Sequence, residues 1–336
     1  MMTKVKNFAA PTTISLATET NYRKRYRQLL KQCEREYGES GVTGEILADW
    51  LCRRRNNYSM STWRQYKSAI LFVLKTDSPE LAEAIVRLAM QFSNGLLVHS
   101  KRTSGAKTKS VPSEFWQNLQ NTLVKRSENS HLHSNGLLNV LKATLLTGLR
   151  PIEWSYATLH LKTEDNQLVL RVKNAKFSAK RANGEYREMY INKLIGIELK
   201  SILEAIRYCN LSEEKIGTRL TALQNEFANA RAKLDMKSGL NERSFTVTMY
   251  SFRHQFLADA KKNHVDKKNI AALAGHKSVH TATKHYGRRS SGRNLLLVRP
   301  TIESVNAVSK IDNKIVNKLS QKTDVCPNLM NALGFD

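Results

Sequence analysis

The sequence predicts a mainly α-helical chain with one small antiparallel sheet, an α+β class divided into two domains. Three observations lead there. Apolar residues recur at helical spacing through most of the 336 residues. Alternation of period two is confined to the stretch between His160 and Tyr190. A small, polar, basic segment, Ser100–Ser110, carries no apolar period and separates two helical regions. A hydrophobic content of 41% over this length suffices for buried cores in both.

Residues 1–13 read as a short flexible arm without the apolar core of a secretory signal. From Ser15 to Tyr37, the residues Tyr22, Tyr26, Leu29, Leu30 and Cys33 fall at i, i+4, i+7, i+8 and i+11, one stripe of a helix that Gly38 and Gly41 stop. Thr43 caps a second helix burying Ile46, Leu47, Trp50 and Leu51. Ser59 or Ser61 opens a third with Trp63, Tyr66, Ile70, Leu71 and Val73. Ser78-Pro79-Glu80 reads as the start of a fourth, reaching about Met90. These four helices make a compact all-α unit over residues 14–99, followed by a basic linker over 100–112.

Helices resume at Ser113 with Phe115, Trp116, Leu119 and Leu123, and again from Leu137 to Leu146, where Gly148 supplies a stop. Pro151 fixes the next turn, and Glu153 follows on a short helix. Leu168–Val172 and Tyr186–Ile191 read as strands of a hairpin whose tip includes Asn183-Gly184. Lys173, Lys176, Lys180 and Arg181 lie on or near it. Helical spacing returns over Asn192–Tyr208, over Ser212–Leu234 and from Ser251, and Asp266 caps a further helix closed by Gly275. The second domain is expected over 113–290. In the tail, 291–336, Ile302, Val305, Val308, Ile311, Ile315 and Leu319 form an apolar stripe. Two placements are open for it: against a neighbouring protomer, the favoured one, or against the chain's own second domain.

Lysine and arginine number 54 against 29 acids, a formal net charge of +25. That excess points to a polyanion as partner. A membrane surface is also anionic, but no apolar run approaches the ~20 residues of a spanning helix. Arg23, Lys24 and Arg27, the run Arg53-Arg54-Arg55, and Lys101, Arg102 and Lys107 are the candidate phosphate contacts. The four cysteines are scattered with no Cys-x-x-Cys pair, as for thiols in a reducing cytoplasm.

The chemistry concentrates between Tyr250 and Tyr286. A tyrosine hydroxyl attacks phosphorus when the charge growing on the phosphate oxygens is neutralised. Arg253 can grip two of those oxygens with its planar fork, and His276 adds a donor. A second arginine is needed, and Arg150 in Thr147-Gly148-Leu149-Arg150-Pro151-Ile152-Glu153 supplies it.

In these residues the chain resembles the tyrosine recombinases of the phage-integrase family. Thr147–Glu153 matches the Thr-Gly-Leu-Arg-x-x-Glu box, and Arg253–Phe256 matches the Arg-His-x-Phe helix. Leu273–His276 matches the Leu-x-Gly-His turn, and Thr283–Tyr286 the nucleophile box. Four motifs in the family's order are specific where each alone is weak. The match spans roughly Phe115 to Tyr286 and, more loosely, the N-terminal helices.

The resemblance implies a SAM-like core-binding bundle followed by a DNA breaking-rejoining domain of the kind shared with type IB topoisomerases. It implies that Tyr286 forms a 3′-phosphotyrosyl bond, that Arg150 and Arg253 clamp the scissile phosphate, that His276 donates to a non-bridging oxygen, and that Glu153 supports Arg150. A hairpin lysine would protonate the leaving 5′ oxygen. Lys176 is the choice, with Lys173 and Lys180 as alternatives. Double-stranded DNA is the implied partner, bound by a homotetramer on two sites, with accessory DNA-bending factors, no metal, no cofactor and a cytoplasmic location. One departure stands out: Tyr250, expected like Glu153 in support of the catalytic set, occupies a position where the family usually has histidine. A phenol with a pKa near 10 is a poor base at neutral pH.

Rival readings are weaker. His131-Leu132-His133 has the spacing of a metal pair but sits in a Ser/Asn-rich loop. Acids are too dispersed for a magnesium nuclease. A DNA-binding protein that keeps the fold without the chemistry is the alternative function.

Overall fold

A computed structural model describes residues 14, 16–38, 41–91, 108–163, 166–175, 177, 182–235, 246–263, 266–281, 286–293 and 296–308. The chain divides into two compact units, Met1–Ser104 and Gly105–Asp336, so the division falls within the expected linker. Among the described residues no helix is long and apolar enough to cross a membrane. The described part is mostly helical with a small antiparallel sheet.

The first unit contains α1 (Leu16–Tyr37), α2 (Gly44–Arg53), α3 (Met60–Asp77) and α4 (Ala82–Met90). Leu29, Cys33, Leu47, Trp50, Leu51, Trp63, Ile70, Leu74 and Leu88 bury together, most of them on the expected stripes, whereas Ile46, expected on the buried face of α2, is 41% exposed. The Thr43 hydroxyl accepts from Ile46 N at 3.3 Å, and Ser59 from Thr62 N at 3.3 Å, each satisfying an otherwise orphaned helix donor. Ser78 behaves differently from the expectation. Its N–H donates to Leu74 O at 3.0 Å, closing α3, and α4 begins only at Ala82 without a side-chain cap. Helix α3 simply runs on, so the serine that reads as a start becomes a stop.

In the second unit, α5 (Ser113–Glu128) and α6 (Ser134–Thr147) precede a 3-10 turn (Pro151–Tyr156) and the strands β1 (Ala157–Lys162), β2 (Gln167–Lys173) and β3 (Tyr186–Tyr190). Then come α7 (Ile197–Cys209), α8 (Glu213–Asp235), α9 (Met249–Lys262), α10 (Lys267–Leu273), β4 (Arg299–Pro300) and α11 (Ile302–Asn306). The sheet order is β1-β2-β3-β4, antiparallel throughout, with Leu159 opposite Leu170 and Leu170 opposite Met189. Phe115, Leu119, Leu141, Trp154, Leu170, Met189, Phe252 and Phe256 lie in one core. Phe252 anchors it, edge-on to Trp116 at 5.1 Å and to Phe227 at 6.2 Å. The end of the expected linker is tied into this unit: Ser251 donates to Thr108 O at 2.6 Å and Val111 N donates to Gln255 Oε1 at 2.9 Å.

Two further expectations change here. Asn183-Gly184 is not the hairpin tip but the point where the chain re-enters β3, with Asn174 Nδ2 donating to Asn183 Oδ1 at 3.0 Å and to Gly184 O at 2.9 Å. The loop between β2 and β3 is longer than a two-residue turn, so the Asn-Gly pair serves its base. The second unit also does not stop at residue 290. Val298 is buried in the main core, β4 pairs with β3, and Thr301 N donates to Glu188 O at 3.1 Å. Val308 buries against Ala271 and Ala272 beside α10. The start of the tail therefore packs on its own unit through Val298, Val305 and Val308, while Ile302 of the expected stripe is 71% exposed. Ile311, Ile315 and Leu319 lie outside the described residues.

Gly148 ends α6 at φ +70°, its N–H bonded to Thr144 O at 2.8 Å. A Cβ here would overlap the Phe256 ring. Gly148→Ala should therefore destabilise twice over, by about 1 kcal/mol for the left-handed backbone and ~1–3 kcal/mol for overpacking. Urea unfolding should show the midpoint falling at constant m. A midpoint within error of the parent would mean that the turn reshapes freely.

Candidate active site

The site grows from Gly148. Once the left-handed turn has ended α6, Arg150 enters the 3-10 turn in extended conformation, and Glu153 sits three residues on. That spacing lets Glu153 reach back: Oε2 accepts from Arg150 N at 2.7 Å and Oε1 from Arg150 Nη1 at 2.5 Å. Glu153 is fully buried. Such a carboxylate survives only if its charge is matched, and three arginines match it. Arg187 Nη2 donates to its Oε2 at 2.8 Å, and Arg253 Nη1 lies 3.7 Å from the same oxygen. Burial alone would raise the Glu153 pKa, but Arg187, Arg253 and Arg150 together hold it well below the usual carboxylate range.

Arg253 comes from the first turns of α9 and is itself 0% exposed. Main-chain acceptors fix it from two sides: Nη1 donates to Gly148 O at 2.5 Å and Nη2 to Ala274 O at 2.6 Å. The Nε atoms of Arg150 and Arg253 are buried without a hydrogen-bond partner among the described residues. Arg187 stands behind them, with Nε on Leu273 O at 3.0 Å and Nη1 on Asn174 Oδ1 at 2.5 Å. Gly275, at φ +64°, makes room for this contact, since a Cβ there would overlap Asn174 Oδ1.

Helix α10, capped by Asp266 as expected, ends at Ala274, and the turn through Gly275 delivers His276. Its Nε2 lies 3.0 Å from the Tyr286 hydroxyl and 3.5 Å from Arg253 Nη2. Burial, then the charges of Arg253, Arg150 and Arg187, push its pKa down to about 2, so the ring is neutral. Tyr286 lies over the site, its ring centroid 5.5 Å from Arg253 Cζ. Burial would raise its pKa, yet Arg253, a hydrogen bond with Tyr250, and Arg150 bring it below the ordinary phenol value. The Tyr250 hydroxyl is 3.2 Å from that of Tyr286.

Arg150, Glu153, Tyr250, Arg253, His276 and Tyr286, distant in sequence, thus converge. Lys176 and Lys180 lie outside the described residues. Lys173 is described at the end of β2, 3.5 Å from Glu185 Oε1. Arg187 was missed by sequence reasoning. The available signal was its phase: it alternates with Met189 on the buried face of β3, where an arginine needs a partner. His254 was also missed. Its ring sits 4.9 Å from that of Tyr286, and burial, then Lys109 and Arg253, lowers its pKa to about 4.

The candidate phosphate contacts of the first unit divide. Arg23 pairs with Asp77 at 2.5 Å and with Glu19 at 3.0 Å. Arg54 pairs with Glu36 and stacks 5.0 Å over the Trp50 ring. Lys24, Arg27 and Arg53 are exposed, and Arg55 is half-buried. Lys101, Arg102 and Lys107 lie outside the described residues. His133 of the metal-like pair spends Nδ1 on the Tyr208 hydroxyl at 2.6 Å.

No protein-family model matches the chain, and no curated protein matches it.

Proposed function

We propose that this chain is a tyrosine-type site-specific DNA recombinase that cuts and rejoins strands through a 3′-phosphotyrosyl intermediate. One observation carries the reading: the Tyr286 hydroxyl sits 3.0 Å from a neutral His276, above two arginines anchored on one buried carboxylate. Arg253 and Arg150 favour ionisation of this phenol against the opposing effect of burial. The chief obstacle to its attack is the anionic charge of the phosphodiester, and fixed guanidiniums with unspent Nε donors are suited to remove it.

In the proposed step the Tyr286 oxygen bonds to phosphorus and the bond from phosphorus to the 5′ oxygen breaks. The phenol's proton leaves to solvent, and the departing 5′ oxygen takes one up. Lys176 is the proposed donor of that proton, with Lys173 and Lys180 as alternatives on the same hairpin. Arg150 and Arg253 bind the non-bridging oxygens, and His276 adds a hydrogen bond there once the nucleophile has moved onto phosphorus. Glu153 and Arg187 position the arginines. Because the phosphotyrosyl bond keeps the energy of the bond it replaces, rejoining is the same step reversed. Exchange between two duplexes calls for four protomers. The +25 charge suits grip on two DNA backbones.

A duplex nicked just beyond the cleavage point tests this. The short 5′-hydroxyl product diffuses away, and a covalent protein–DNA adduct should accumulate in EDTA. Peptide mapping should place it on Tyr286. DNA binding without any adduct would favour the alternative, a DNA-binding protein with silent chemistry. Adducts that require a divalent ion would favour a metal-dependent nuclease or relaxase.

A further inference from the structure

The face of α9 toward Tyr286 carries a second phenol that the proposed mechanism leaves unused. Tyr250, Arg253 and His254 fall at i, i+3 and i+4, so one helix face presents all three. Tyr250 is held at the first turn. Thr248 N donates to Ser251 Oγ at 3.0 Å, Ser251 is in turn tied to Thr108 O, and the Tyr250 ring stands edge-on to His254 at 5.2 Å. Its hydroxyl therefore has a defined position.

We infer that Tyr250 is a positioning residue for the nucleophile: its hydroxyl, 3.2 Å from that of Tyr286, donates the hydrogen bond that aims and stabilises the attacking oxygen. The direction of the bond follows from the surroundings. Tyr286 faces Arg253 and Arg150, with the neutral His276 and His254 around it, while Glu153 offsets the arginines from below. Lys109 and Lys261 bear on His254. Arg253 and Arg150 favour ionisation of both phenols, but Tyr286 alone also has a hydrogen bond with Arg253 and lies 3.0 Å from His276 Nε2, so Tyr286 is the stronger acid. Burial opposes ionisation of both phenols; it prevails at Tyr250, whose pKa is raised, and is overcome at Tyr286, whose pKa is lowered. As Tyr286 ionises, Tyr250 can only be the donor. The proton stays on Tyr250 throughout, so no general-base role is asked of a phenol. A hydrogen bond to a charged acceptor is among the stronger ones in proteins.

This inference rests on the DNA-cleaving reading for its consequence but not for its test. The first arm measures single-turnover adduct formation from about pH 6 to about pH 9, spanning the approach to phenol ionisation. Tyr250→Phe keeps the ring against His254 and removes only the hydroxyl. It should react roughly 10- to 100-fold more slowly, with its pH profile displaced upward and DNA affinity unchanged. Tyr250→His, which restores a donor, should recover most of the rate. The second arm needs no DNA. Ultraviolet difference titration of the parent against Tyr286→Phe isolates the ionisation of Tyr286, which should move to higher pH when Tyr250→Phe is added to both. An unmoved Tyr286 titration overturns the inference. So does a Tyr250→Phe chain with the parent's rate and profile, or one that is slower with an unmoved profile, which would assign Tyr250 to packing alone. A parent chain that forms no adduct overturns the DNA-cleaving reading instead, and the titration then decides the hydrogen bond by itself.

Discussion

Tyr286→Phe should abolish the covalent adduct on a nicked duplex, a loss limited only by the detection threshold. The substitution removes the atom that bonds to phosphorus in the proposed step. It deletes two hydrogen bonds, to His276 and to Tyr250, and leaves the ring over Arg253. The expected loss of stability is therefore only about 1 kcal/mol, and DNA affinity, read by band shift, should stay within a few-fold of the parent. The arginines behave differently. Arg150→Ala or Arg253→Ala should retain the nucleophile yet lose several powers of ten in rate, because in the proposed step each neutralises charge that grows in the transition state. Adducts persisting in Tyr286→Phe would move the attack to another residue, with Tyr250 the first to map.

Glu153→Gln should be the most destabilising of the polar substitutions. It strips the counter-charge from beneath three arginines, two of which are at most 1% exposed. Removing one partner of a buried ion pair costs about 3–5 kcal/mol, and here the remaining charges also repel. Chemical denaturation at neutral pH should show a loss of that order, with cleavage falling alongside as Arg150 loses its brace. Acid should act in the same direction on the parent. The folded Glu153 pKa is depressed, so its contribution is fully present above the unfolded value of roughly 4.3 and is lost as pH falls below it. His276, lowered to about 2, adds an earlier loss: below roughly pH 6.5 the unfolded chain takes up a proton that the folded one refuses. The Glu153→Gln chain should keep the step beginning near pH 6.5 and show a smaller one near pH 4.3, where Glu226, held low by Arg126, still contributes. If its stability at neutral pH equals the parent's, the carboxylate is not what holds the arginines.

Much of this site is legible because its residues sit at helix ends, where glycines and caps fix position locally. Gly148 places Arg150, Asp266 and Gly275 bracket the helix that leads to His276, and three-residue spacing joins Glu153 to Arg150. What depends on pairing across the sheet was not legible. The role of Arg187 follows from the register of β3, and β4 is too short to announce itself. Ser78-Pro79 and Asn183-Gly184 carry strong local signals that were overridden, one by the continuation of α3, the other by a loop longer than its turn residues suggest. The apolar start of the tail was recognisable as something to be buried. Which surface buries it was set by three-dimensional neighbours that no local pattern encodes.

Main-chain oxygens share in holding two of the guanidiniums: Arg253 is bound by those of Gly148 and Ala274, and Arg187 by that of Leu273. A carbonyl is supplied by any amino acid, so the identities of residues 273 and 274 are constrained by the space around them and not by the bonds they make. Drift is free wherever a side chain of similar volume fits, but not at Gly148 and Gly275, whose dihedral angles and crowded neighbours admit no side chain. A saturation library across these four positions should return substitutable alanine and leucine beside two intolerant glycines. Descendants of such a chain could thus diverge widely in spelling while the cage of oxygens around the arginines stays in place.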